Sequence, residues 1–140
     1  MREHTVLRIV SQLVIAPMLL YALYVQFHGE YSPGGGFQAG VILATAIILY
    51  GLIFGLDALR EKVPPVVVEI GIALGALLYA GVGVVSMLMG GEFLHYGVLD
   101  SHDTAHGQHL GILLVELGVG ITVTFVMVAI FYAFAGRSRQ

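Results

Sequence analysis

The sequence predicts an all-α integral membrane domain of four transmembrane helices, with both termini cytoplasmic and a Pro-Gly-rich loop between the first two helices. Three observations predict it. Of the 140 residues, 58% are hydrophobic and only 11% charged, too apolar for an ordinary soluble domain. Four runs reach the ~20 apolar residues that a helix needs to cross a ~30 Å hydrocarbon core. All six basic residues sit in three places: Arg2 and Arg8, then Arg60 and Lys62, then Arg137 and Arg139. An even number of crossings puts those three places on one side, and Lys and Arg are held on the cytoplasmic face during insertion.

The expected spans are about 5–27, 37–56, 65–89 and 110–134, one domain over residues 1–140. The first follows Arg2 and Arg8 and is longer than the ~7–15 apolar residues of a secretory signal, and no small-residue cleavage pattern follows it. Pro17 lies inside it, removing a backbone donor and crowding the carbonyl of Leu13, so a kink or widened turn is expected. The second and fourth spans lack a polar stripe at helical period, which a soluble bundle would require: Gly40 to Phe54 is interrupted only by Thr45 and Tyr50, and Gly118 to Phe134 only by Thr122, Thr124 and Tyr132. Glycines four apart (Gly36 and Gly40, Gly51 and Gly55, Gly71 and Gly75, Gly107 and Gly111) offer small-residue faces for close helix packing, although any one such pair also arises by chance in a Gly-rich chain. The loops at residues 28–36 and 90–109 contain no Lys or Arg and are expected outside.

With no cysteine, the chain excludes thiol chemistry, disulfides and cysteine-ligated metals. A net charge of −3 and scattered basic pairs give no footprint for nucleic acid. No cofactor motif or independent catalytic constellation is present.

Glu116 carries the most information. If the fourth span starts near Leu110, it lies about 9 Å inside the hydrocarbon, where a carboxylate costs at least ~2.5 kcal/mol unless protonated, hydrated or paired. Two readings stand: a protonated acid bonded to a neighbouring helix, or a proton or cation relay. Apart from Arg8 at the cytoplasmic start of the first, no Lys, Arg or His falls within an expected span, so Glu116 is expected to face water or a group of another subunit. Glu69 lies about one turn inside the third span near its cytoplasmic start, where an acid also favours a helix N-terminus. Gln12 is expected in the same shallow layer, which allows a polar cluster with Glu69. Glu69 and Glu116, about 15 Å apart in depth, cannot pair directly.

The first loop contains Pro33-Gly34-Gly35-Gly36-Phe37, which implies a sharp, closely packed reversal, since glycines reach backbone conformations other residues resist. No Gly-Lys-Ser/Thr follows, so it is no Walker-type phosphate loop. In the third loop His102, His106 and His109 fall at helical spacing beside Asp100 and Asp103, an arrangement that suits either a metal or simple solvation.

The run Pro33 to Gly40, Gly91-Glu92-Phe93-Leu94, Gly107 to Ile112 and Glu116 to Val123 together resemble the B subunit of the multisubunit Mrp-type sodium/proton antiporters. The resemblance covers most of the chain from His28 to the fourth span. It departs from the family at Gly29-Glu30, where many members carry Gly-His, so no role of that histidine is transferred. It implies a multi-pass accessory subunit of the bacterial cytoplasmic membrane, in a secondary antiporter exchanging sodium or another monovalent cation for protons. The implied partners are the A subunit and other small membrane subunits. Two roles remain open: contribution to an ion or proton route through Glu116 and perhaps Glu69 and Gln12, or a purely structural role in assembly. A distant relationship also points to membrane-bound hydrogenase-type complexes.

Overall fold

The computed structural model describes residues 5–29, 35–100 and 103–137. Arg2, Pro33, Gly34, His102 and Arg139, which carried expectations above, lie outside the described residues. Every regular element among the described residues is helical. α1 spans Thr5–Phe27, α2 Gly36–Phe54, α3 Leu56–Lys62, α4 Pro65–Leu88 and α5 Thr104–Arg137, with a short 3-10 turn at Tyr96–Leu99. Four of these, α1, α2, α4 and α5, are long and apolar enough to cross a membrane.

The packing order is α1–α2–α5–α4, with α5 in the middle, flanked by α2 and α4, and α1 leaning on α2. Glycine spacing sets the close approaches. Methyl groups added at Gly71 and Gly75 of α4 would run into the Phe125 ring and the Thr122 hydroxyl of α5. On the other side, a methyl at Gly40 of α2 would stand 2.7 Å from the carbonyl oxygen of Gly120. Lipid tails solvate Leu as well as another helix does, so close backbone approach is what gives such a bundle its dispersion energy. Hydroxyls inside the helices turn back onto their own backbones: Ser11 donates to the Leu7 carbonyl at 2.7 Å, Thr45 to Val41 at 2.7 Å and Ser86 to Val82 at 2.9 Å. That removes their need for partners in an apolar medium. α1 runs helically through Pro17.

The connector between the second and third spans is more structured than its charge suggested. At Gly55, φ is +99°, a conformation that favours glycine, and the chain leaves α2 there to enter α3. Leu59 of α3 is then fully buried against Val128, Tyr132, Leu56 and Val68. Pro65 opens α4 at the first helical position, where a missing N–H costs nothing. The Tyr132 hydroxyl donates to the Val63 carbonyl at 2.7 Å, and the Arg60 guanidinium lies 5.6 Å above the Tyr132 ring. Arg8 sits 5.1 Å above the Phe54 ring. This basic end therefore gathers the start of α1, the connector and the end of α5.

Apolar side chains cover the outside of the bundle, Val6, Leu20, Leu77, Leu88 and Phe134 among the most exposed. A soluble protein would hide them; a chain solvated by lipid and neighbouring helices would not.

At the opposite end the two hairpins differ in height. α5 begins at Thr104 rather than near Leu110, and its 34 residues, about 51 Å long, exceed a ~30 Å hydrocarbon core. A methyl at Gly118 would sit 3.0 Å from the Tyr79 nitrogen, and α4 continues from there to Leu88. The α4–α5 hairpin thus rises about 10 Å beyond the start of α2.

Candidate functional site

The site forms where the end of α1 and the start of α2 meet the middle of α5. Gly35, with φ +125° and ψ −178°, turns the chain into α2, and that backbone geometry is open essentially to glycine alone. Gly36 then presses against the backbone carbonyl of Glu116 so closely that no side chain fits between them. The Glu116 carboxylate lies over the same loop. A methyl at Gly29 would stand 2.8 Å from its Oε2, and one at Gly35 would stand 2.9 Å from its Oε1. The glycines of the first loop thus clear space for this acid.

The first turn of α2 lies directly beside the carboxylate. Its leading N–H groups have no partner within the helix, and the aligned peptide dipoles put partial positive charge there, which favours an anion. Among the described residues Glu116 therefore lies against its own chain's first loop, whereas the sequence led to the expectation that it faces water or a group of another subunit. A separation of eighty residues in the chain hid that contact from the sequence. α5 starts at Thr104, so Glu116 stands about 18 Å along it, level with the start of α2.

One turn inward lies a residue that the sequence reading did not single out. Gln26 of α1 is only 5% exposed, and its Nε2 has no hydrogen-bond partner among the described residues. Its Oε1 fills the space over Gly120, where a methyl would stand 2.6 Å away. The signal was present: Ser11, Ala22, Gln26 and Gly29 fall on one helical stripe of small or polar residues, the stripe that faces α2 and α5. A further turn inward the Thr124 hydroxyl is bonded to Gly120 at 2.7 Å and reaches the Gly40 carbonyl at 3.2 Å.

The other candidates are not drawn into this site. Glu69 and Gln12 are both exposed, on α4 and α1, and no hydrogen bond joins them. The Gln12–Glu69 cluster that their shared depth allows is not formed within this chain, because α1 leans on α2 while α4 leans on α5. Phe37 points outward, 61% exposed.

In the third loop His106 pairs through Nδ1 with Asp100 Oδ2 at 3.0 Å. Asp103 caps α5, accepting from the Ala105 and His106 amides at 2.9 and 3.3 Å. His109 is exposed on the next turn of α5. Among the described residues no three metal-ligating side chains gather, and the acids near His106 are occupied in capping and closing the loop. Tyr96 packs against Gly111, and burial, helped by the neighbouring Tyr79 phenol, pushes its phenol above the usual 10.0, so it packs there as a neutral hydroxyl.

Comparison with known proteins gives a consistent result. Residues 6–129 match the family described as "Domain related to MnhB subunit of Na+/H+ antiporter". A protein of Staphylococcus haemolyticus (strain JCSC1435) named antiporter subunit mnhB2 is 35% identical over 139 residues, 97% of this chain and 98% of its own length. Its counterpart in Staphylococcus aureus (strain Newman), of the same name, is 34% identical over the same shares of both chains.

Proposed function

The chain belongs to the MnhB family of Na+/H+ antiporter subunits, and on that premise we propose that it both packs neighbouring subunits together and supplies the acid Glu116 to the route of exchange. It is a multi-pass component of a transporter in the bacterial cytoplasmic membrane. The observation that carries the reading is the placement of the Glu116 carboxylate over Gly29 and Gly35, beside the first turn of α2. Glycines that serve only to bring helices together would meet backbone or apolar side chains. At these two a carboxylate oxygen is the nearest atom, with the Gly35 backbone almost as close to Gly29.

In this reading the basic end faces the cytoplasm, following the Lys and Arg distribution, and the glycine loop opens outward. Glu116 then stands where protons or sodium ions enter from outside. An intramembrane or boundary acid held by preset dipoles can exchange a proton without rearranging its surroundings. The chain supplies no lysine in a span, so the A subunit and the other membrane subunits complete the pathway. Their contact surface is the exposed apolar face of α1 and α4, with Gln12 and Glu69 available to them near the basic end.

Replacing Glu116 by Gln in the complete antiporter, followed by exchange assays on membrane vesicles and co-purification of the other subunits, tests this directly. The expected outcome is a complex assembled in normal amount with exchange reduced by about tenfold or more, the rate equivalent of one lost charge-assisted hydrogen bond. A purely structural subunit, in an antiporter or in a hydrogenase-type complex, would instead leave exchange per assembled complex unchanged.

A further inference from the structure

Three polar groups line the seam between α1, α2 and α5, each one helical turn below the last. Glu116 is level with Gly29 and Gly35; the Gln26 amide is level with Gly120; the Thr124 hydroxyl is level with Gly40. Four residues of helix separate Glu116 from Gly120 and Gly120 from Thr124, about 6 Å in each case. Below Thr124 the next fully buried side chains are apolar, and Ser11, far down α1, has its hydroxyl bonded to its own backbone. Ala44, Leu59 and Val128 are fully buried there, and Val128 and Leu59 belong to the apolar core of the basic end.

Gln26 breaks the rule that buried polar groups are satisfied. Leaving a buried amide donor unpaired costs roughly 1–3 kcal/mol, so in the membrane something meets it. An N–H group donates, so its missing partner is an acceptor and not a metal cation. A single water molecule, making hydrogen bonds of about 2.8 Å on each side, spans a gap of 5–6 Å between polar groups. The carboxylate above and the hydroxyl below belong to residues one helical turn, about 6 Å along α5, from the level of Gln26, and both accept hydrogen bonds.

We infer that Gln26 seats a buried water beneath Glu116, making the α1–α2–α5 seam a hydrated inlet that enters from the glycine-loop end, passes Gln26 and ends at Thr124. The inference rests on the reading of Glu116 as part of the exchange route and extends it by naming the ligand, water, and its positioning residue. The inlet is half a path: the apolar plug of Ala44, Val128 and Leu59 closes it inside this chain, so any onward transfer passes to a neighbouring subunit.

The direct test is a density map of the intact wild-type antiporter in a lipid nanodisc, at a resolution that shows ordered water. Water within hydrogen-bond distance of Gln26 Nε2 is expected; a dry seam, or a protein atom bonded to Nε2, overturns the inference. A second test uses exchange in vesicles containing the whole complex. Gln26→Leu, of similar volume, should slow exchange by about tenfold at unchanged complex abundance, the equivalent of one hydrogen bond. Gln26→Asn, which keeps the amide and leaves room for a second water, should restore most of it. If Gln26→Leu is silent, or if both variants fail alike, Gln26 seats no functional water. Exchange unaffected by Glu116→Gln, with water still present on Gln26, would instead remove the functional reading and leave the hydrated site standing.

Discussion

The two faces of α5 use the same packing device around different chemistry. Toward α4, Gly71 and Gly75 receive the Phe125 ring and the Thr122 side chain, and the hydroxyl of that threonine is already bonded to the Gly118 carbonyl at 2.8 Å. Toward α2, Gly36 and Gly40 bring the backbones together equally closely, yet the seam holds the Glu116 carboxylate and the buried Gln26 amide, whose Nε2 has no hydrogen-bond partner among the described residues. Small residues therefore do not by themselves mark a functional seam in a membrane bundle. What distinguishes one is the polar chemistry left over after the helices have met.

Substitutions sharpen that contrast, and the largest effect is expected at Gly36. Any side chain there meets the Glu116 backbone carbonyl, and Gly36→Val should cost roughly 3 kcal/mol or more, because backbone cannot move aside as a side chain can. The chain should disappear from purified complexes, as read by quantitative blotting of membranes. Gly35→Ala comes next: its φ of +125° is strained for any L side chain, a penalty of roughly 1–3 kcal/mol, and the new methyl crowds the carboxylate. Exchange per complex should fall further than complex abundance does. On the other face, Gly75→Ala should cost a similar roughly 1–3 kcal/mol by crowding Thr122 and the Gly118 carbonyl. Here, by contrast, a lowered thermal midpoint should accompany an unchanged exchange rate per assembled complex. The smallest effect is expected for Arg60→Ala, which removes a cation–π contact worth under about 1 kcal/mol and should barely move the midpoint.

The spans were legible because each is long, apolar and bounded by turn residues or charge, and the glycine pairs at 36/40 and 71/75 pointed to faces that do pack. Other features depend on contacts that no local pattern encodes. The short helix α3 hides Leu59 under the bundle, and its seven residues looked like a charged connector because Asp57, Arg60, Glu61 and Lys62 surround that leucine. Glu116 was conspicuous as an acid in an apolar run, but its seat over Gly29 and Gly35 joins residues more than eighty positions apart. Gln26 is hidden for a different reason: two residues from a loop, a polar side chain reads as one that reaches the membrane surface. Only the tertiary packing shows it turned inward. The third-loop histidines suggested a ligand set by spacing alone, whereas Asp103 and Asp100 use their oxygens to cap α5 and to hold His106.

The central claim is that α5 packs on one face and serves exchange on the other, and the measurement closest to it is the initial rate of Na+/H+ exchange per assembled complex with Glu116→Gln and Gly75→Ala side by side. The account predicts a rate lowered about tenfold or more for Glu116→Gln and unchanged for Gly75→Ala. Equal rates for the two, or a loss that merely follows the amount of complex in both, would contradict it.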